Sequence, residues 1–207
     1  MARQTRRLIL LAAAASVALL AACSREAAAP PKPAFKSVDI TGAEYANALD
    51  LTDADGKARH LSDFKGKVAV VFFGYTQCPD VCPTTLAELA AVKKDLGPDG
   101  ARVQGIFVSI DPERDTPEVL KAYVGNFGAD FVALRGTPEE TRAAAKNFKV
   151  FFAKVPGKTE SSYTMDHTAG SYVFDPSGRV RLFTRYGSGA EALKGDLKLL
   201  LDEKPAS

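Results

Sequence analysis

Lys67 to Phe73 reads KVAVVFF, a continuous apolar run dominated by β-branched and aromatic residues. Such a run, without polar alternation, is expected of a strand covered on both faces. A chain that contains it must place that strand inside a sheet and supply elements to cover both sides. Val103 to Ile110 reads as a second buried strand. Between them, Pro83 opens a segment from Thr84 to Leu96 in which Leu86, Leu89, Ala90 and Leu96 have amphipathic-helix spacing. Strand, helix and strand in this order predict a parallel crossover unit.

The flanking segments extend this core. Leu49 and Leu51 alternate with polar neighbours before Asp55-Gly56, and Ala58 to Leu61 returns, which predicts an N-terminal β-hairpin. Thr116-Pro117 and Thr137-Pro138 each set an N-cap residue before a proline at the first helical position. Those helices should run to about Phe127 and Phe148, with a short strand at Phe131–Leu134 between them. Val150–Ala153 and Tyr163–Met165 read as strands flanking a polar loop. Ser171–Phe174, the turn Asp175-Pro176-Ser177-Gly178 and Val180–Phe183 make a hairpin, and residues 190–202 a last helix. The predicted class is α/β: an N-terminal β-hairpin, a central mostly parallel sheet and flanking helices, arranged as in thioredoxin-like folds.

The first residues read as an export signal. Arg3, Arg6 and Arg7 precede an uncharged apolar run of 13 residues, Leu8 to Leu20. A bilayer-spanning helix needs roughly 20 apolar residues, so the run suits a signal core better. Leu20-Ala21-Ala22-Cys23 then resembles a bacterial lipobox, which implies cleavage before Cys23 and lipid on its sulfur. Residues 1–22 are expected to be a lipoprotein signal peptide, 23–37 a lipid-anchored tether rich in alanine and proline, and 38–205 the folded domain. The expected location is the periplasmic side of a bacterial cell membrane. Removing the leader takes away three of 27 basic residues and none of the 25 acidic ones, leaving 24 against 25. A near-neutral chain without a clustered basic face gives no nucleic-acid footprint.

With Cys23 lipidated, Cys78 and Cys82 are the remaining thiols. They lie in Gly74-Tyr75-Thr76-Gln77-Cys78-Pro79-Asp80-Val81-Cys82-Pro83, past the end of a buried strand and at the start of a helix. Ligands gather at that edge of α/β sheets. Pro83 disfavours the helical region for Cys82, which places Cys82 at or next to the N-cap, where a thiolate is stabilised. Three residues separate the cysteines, one more than in the usual redox pair. The wider loop lets two sulfurs converge on one ion as well as close a disulfide. Two thiolates leave a metal under-coordinated, and the chain has two histidines. His167, at a strand end before the hairpin, is the better third ligand; His60 reads as a solvated residue of the N-terminal hairpin. Soft thiolates suit Cu(I), and an added imidazole accommodates Cu(II). The same three groups would also suit zinc.

Cys-Pro-Asp-Val-Cys-Pro-Thr-Thr-Leu from Cys78, Ser109-Ile110-Asp111-Pro112-Glu113-Arg114-Asp115-Thr116-Pro117 and Asp166-His167 together resemble the Sco/SenC family of copper proteins. The resemblance spans roughly Gly42 to Leu201. It implies copper held by Cys78, Cys82 and His167. It also implies a role in assembling the dinuclear copper centre of cytochrome c oxidase subunit II, and leaves room for another periplasmic copper chaperone as partner.

Asp111 ends a buried strand on the cysteine edge, where it either orients the metal loop or makes the turn with Pro112. Met165 reads as a core residue before an axial ligand, and Asp80 as a shaper of the loop. Two functions are separable. A copper metallochaperone needs both cysteines and His167; a thiol-disulfide reductase acting on the oxidase copper site needs only Cys78 and Cys82. Val81-Cys82-Pro83-Thr84 also resembles a peroxiredoxin segment, but Pro79 stands where a peroxidase would need a threonine.

Overall fold

The computed structural model describes residues 34–159 and 162–203. Its strands are β1 (Val38–Asp39), β2 (Leu51–Asp53), β3 (Ala58–Arg59), β4 (Val68–Gly74), β5 (Val103–Ser109), β6 (Val132–Arg135), β7 (Phe152–Val155), β8 (Thr164–His167), β9 (Gly170–Phe174) and β10 (Val180–Arg185). Its α-helices are α1 (Val81–Asp95), α2 (Pro117–Gly125), α3 (Pro138–Asn147) and α4 (Ala190–Asp202). The leader 1–22, Cys23 and the tether as far as Pro33 lie outside the described residues. Among the described residues, no helix is long and apolar enough to cross a membrane.

Eight strands form one sheet in the order β1-β10-β9-β4-β5-β6-β2-β3. β4, β5 and β6 are parallel at its centre, and every flanking pair is antiparallel. All seven residues of β4 and all seven of β5 are buried, as the unbroken apolar run of β4 requires; β5 also buries the polar Gln104 and Ser109. Phe72, Phe73, Phe107, Leu134 and Leu182 fill the core on the two faces, and α1 packs against α4. The fold is the thioredoxin-like α/β class.

Two helix starts follow the sequence closely. The Thr116 hydroxyl accepts the Val119 N–H at 3.3 Å. Thr137 and Glu140 form a reciprocal capping box, with Pro138 at the first helical position. The third differs. α1 begins at Val81, not near Thr84, so Cys82 lies inside the first turn and Asp80 is the N-cap. A proline within a helix's first turn removes only an N–H that has no intrahelical partner, so Pro83 does not delay the helix.

One short strand was not read from sequence. β1 has only two residues and exists because it pairs with Phe183 and Leu182 of β10. Just before it, the N–H groups of Lys36 and Ser37 each donate to the buried Asp196 carboxylate of α4 at 2.8 Å. The chain is therefore held before Val38. β7 and β8 pair with each other in a separate two-stranded ribbon, with His167 opposite Phe152.

Candidate metal centre

β4 ends at Gly74, whose carbonyl accepts the Ile110 N–H at 2.9 Å. The chain then leaves the sheet edge. A turn brings the Cys78 N–H to the Tyr75 carbonyl at 3.2 Å. The loop re-enters as α1, whose Asp80 offers no side-chain cap to the first N–H groups. The Cys78 sulfur stands in for it, accepting the Cys82 N–H at 3.4 Å. A sulfur at a helix N-terminus meets unpaired donors and a positive dipole end, and both favour thiolate.

Cys82 is fully buried, Cys78 half-buried, and both are free thiols. Gly74 makes room for the deeper sulfur. A Cβ at that position would lie 2.8 Å from the Cys82 Sγ and 2.9 Å from the rings of Phe72 and Phe107. Glycine is needed here for close approach, with no unusual backbone angle.

His167 arrives from the ribbon. Its Nε2 lies 3.5 Å from the Cys82 Sγ, and its Nδ1 lies 3.1 Å from the Thr168 carbonyl. Nδ1–H donating to that carbonyl leaves the Nε2 lone pair aimed at the sulfurs. Phe72 and Tyr75 meet the imidazole edge-on, at centroid distances of 5.9 and 6.1 Å. The two sulfurs and the imidazole nitrogen all lie within 4.8 Å of one another. The three candidate ligands are thus brought together, across 85 residues between Cys82 and His167.

The thiols are unequal. The Cys82 thiol, the His167 ring and the N–H groups of Cys82 and Asp80 all favour the Cys78 thiolate over the opposing effect of burial. Together they hold Cys78 down to about 4. The neighbouring Cys78 sulfur and burial push Cys82 up. The pair gives up its first proton easily and keeps the second. A soft cation between the sulfurs would replace that second proton, so metal binding and proton release are coupled. Two thiolates and an imidazole suit copper in either common oxidation state.

The other candidates are placed elsewhere. Asp111 is buried, but its carboxylate accepts the Tyr163 hydroxyl at 2.8 Å and the Arg114 Nε–H at 2.5 Å. Met165 is buried in β8 with its backbone opposite Lys154. Asp80 is exposed and accepts the Thr84 hydroxyl at 3.3 Å. His60 is an exposed residue paired with Asp50 at 2.5 Å.

Three supporting residues had no role assigned from sequence. Gly74 read only as a strand end. Asp115 is fully buried and takes hydroxyl donors from Thr76 and Ser109, each at 2.6 Å, which ties the cysteine loop to β5. Burial raises its carboxyl above the usual range. Arg114 sits beside it. Both belong to the Asp-Pro-Glu-Arg-Asp-Thr-Pro motif, which was the available signal.

A model of the SCO1/SenC family matches residues 37–202. The chain belongs to that family. An SCO2-like protein of Rickettsia felis is 33% identical over 153 residues, covering 72% of this chain and 75% of its own. Bradyrhizobium japonicum ScoI, whose structure has copper bound, superposes with a TM-score of 0.67 at 42% identity, over 74% of this chain and 97% of its own. A SCO1/SenC family lipoprotein from Bacillus anthracis str. Ames gives a TM-score of 0.64 at 29% identity, over 77% of this chain and 99% of its own.

Proposed function

We propose that this SCO1/SenC member is a membrane-anchored copper metallochaperone. It holds the ion on Cys78, Cys82 and His167 and serves the dinuclear copper centre of cytochrome c oxidase subunit II. The observation that carries the reading is the convergence of two free thiols and one imidazole within 4.8 Å. The copper-bound relative from B. japonicum supports copper over zinc as the cargo. The lipobox-like Leu20-Ala21-Ala22-Cys23, together with the lipoprotein relative, supports attachment through Cys23 on the periplasmic side of the membrane. Both Cu(I) and Cu(II) are cargo in this reading: the thiolates bind either state, and the imidazole favours the second.

A second reading rests on the inequality of the thiols. With Cys78 held as thiolate near neutral pH, its sulfur attacks a partner disulfide and forms a mixed disulfide, releasing one partner thiolate. Cys82 then attacks Cys78, freeing the second partner thiol and leaving a Cys78–Cys82 disulfide. That chemistry would reduce the cysteines of the oxidase site before metal enters.

Titration of the reduced chain with Cu(I) and with Cu(II), beside His167→Ala and the control His60→Ala, separates the two. Weaker Cu(II) binding in His167→Ala alone supports the metallochaperone. Equal Cu(II) affinity in all three proteins would remove the imidazole from the site and leave the reductase reading ahead.

A further inference from the structure

The ribbon that carries His167 shares no strand pairing with the eight-stranded sheet among the described residues. On its C-terminal side His167 is tied to the sheet three residues on, where β9 begins. On the other side, β8 pairs as a strand only with β7, and the Met165 backbone also bonds the Tyr75 side chain of the cysteine loop. The cysteines, by contrast, sit on the short loop from β4 into α1 and in the first turn of α1. Side chains must therefore set how the ribbon lies over the thiols.

Arg114 is placed to do so. It sits in the loop between β5 and α2, with only 14% of its side chain exposed. Its Nε–H donates to Asp111, and Nη1 donates both to the Tyr163 carbonyl at 2.9 Å and to the Gln77 side-chain oxygen at 3.1 Å. Tyr163 immediately precedes β8, and Gln77 immediately precedes Cys78. The guanidinium lies 3.5 Å over the Tyr163 ring, and the hydroxyl of that ring returns to Asp111. One planar cation thus spans three segments: the cysteine loop, the end of β5 and the lead into the histidine strand. A fork of fixed donors can hold this geometry; a single ammonium cannot.

We propose that Arg114 is a positioning residue that holds His167 over the thiols and thereby sets how strongly the imidazole contributes to Cu(II) binding. The inference rests on the reading of Cys78, Cys82 and His167 as the copper ligands. Cys82 is buried and seated against Gly74 without help from Arg114, so the two-sulfur half should survive its loss. The imidazole half should not.

The test compares Arg114→Met, Arg114→Lys, His167→Ala and the double variant Arg114→Met/His167→Ala in the full chain, reduced. Cu(I) affinity is read by competition with a chelator, and Cu(II) affinity by thiolate-to-copper charge-transfer absorption. Both Arg114 variants should lose about 10- to 100-fold in Cu(II) affinity, as removal of a ligand's supporting partner typically does. Cu(I) affinity should stay within about twofold of the parent, which also certifies that the variants fold. In the double variant, Arg114→Met should cost nothing beyond His167→Ala. Unchanged Cu(II) binding in Arg114→Met while His167→Ala is weakened overturns the positioning role alone. Unchanged binding in His167→Ala overturns the ligand assignment beneath it. Parental Cu(II) affinity in Arg114→Lys, or additive losses in the double variant, would make Arg114 a source of charge and refute the proposal. Should Arg114→Met fail to fold, Tyr163→Phe removes only the hydroxyl that meets Asp111. It should shift Cu(II) affinity in the same direction by less, and no shift refutes the proposal.

Discussion

The two halves of the metal centre are built differently. Cys78 and Cys82 sit where a fully buried strand passes into a helix, on backbone secured by the Gly74–Ile110 hydrogen bond and by Thr76 on Asp115. His167 sits on a ribbon outside the main sheet, held by side chains and by its nearness to β9. Local opening costs least where buried contacts and ladder hydrogen bonds are fewest. The comparison teaches that the sulfur pair is the fixed part of the site and the imidazole the conditional one. Under the proposed metallochaperone reading, that division lets one ligand be withdrawn without dismantling the rest.

The largest effect that would break this comparison concerns the sulfurs. Cys78→Ser or Cys82→Ser should abolish binding of both Cu(I) and Cu(II), a loss beyond the roughly 100-fold ceiling for supporting residues. His167→Ala should spare Cu(I). Equal losses of Cu(I) in all three variants, measured by chelator competition, would show the halves to be equivalent.

Gly74→Ala sharpens the claim that the cysteine half is rigid. The added methyl meets the Cys82 sulfur and two rings at under 3 Å, so neighbours must move. Overpacking of this kind costs about 1–3 kcal/mol, read by chemical denaturation. A neutral result would mean that the sulfur shifts freely.

The smallest effect concerns protons. Because hydrogen bonds and the neighbouring imidazole depress the Cys78 value, its thiolate should persist as the pH falls from the ordinary thiol range. It should be lost only on passing down through about 4. The stabilisation that the folded state draws from those hydrogen bonds is lost over the same acid limb. Alkylation of Cys78 in the metal-free protein should therefore be nearly flat near neutral pH. A midpoint at about 8.5, where a free thiol titrates, would contradict the environment described.

Much of this was legible in the residues. β4 follows from an unbroken apolar run and β5 from its apolar Ile106-Phe107-Val108 stretch, and α2 and α3 start where threonine precedes proline. β1 was not legible, because two residues have no periodicity and pair only through a partner about 145 positions away. The start of α1 was placed late because the bias of a residue before proline competes with the tolerance of a helix's first turn. No local pattern marks Asp115 as a core residue; only packing shows that it is buried and fed by two hydroxyls.

The sequence alone determined most of the elements and which reactive groups are present: two cysteines four positions apart at a strand-to-helix edge, and one histidine at a strand end. These are local properties, carried by neighbours along the chain. Tertiary structure decided that the imidazole nitrogen comes within 3.5 Å of a sulfur, that Gly74 must lack a side chain, and that Arg114 joins the two halves. The reason is distance along the chain. Groups 85 residues apart meet only when the whole core has packed, and no local pattern records where that packing sets them down.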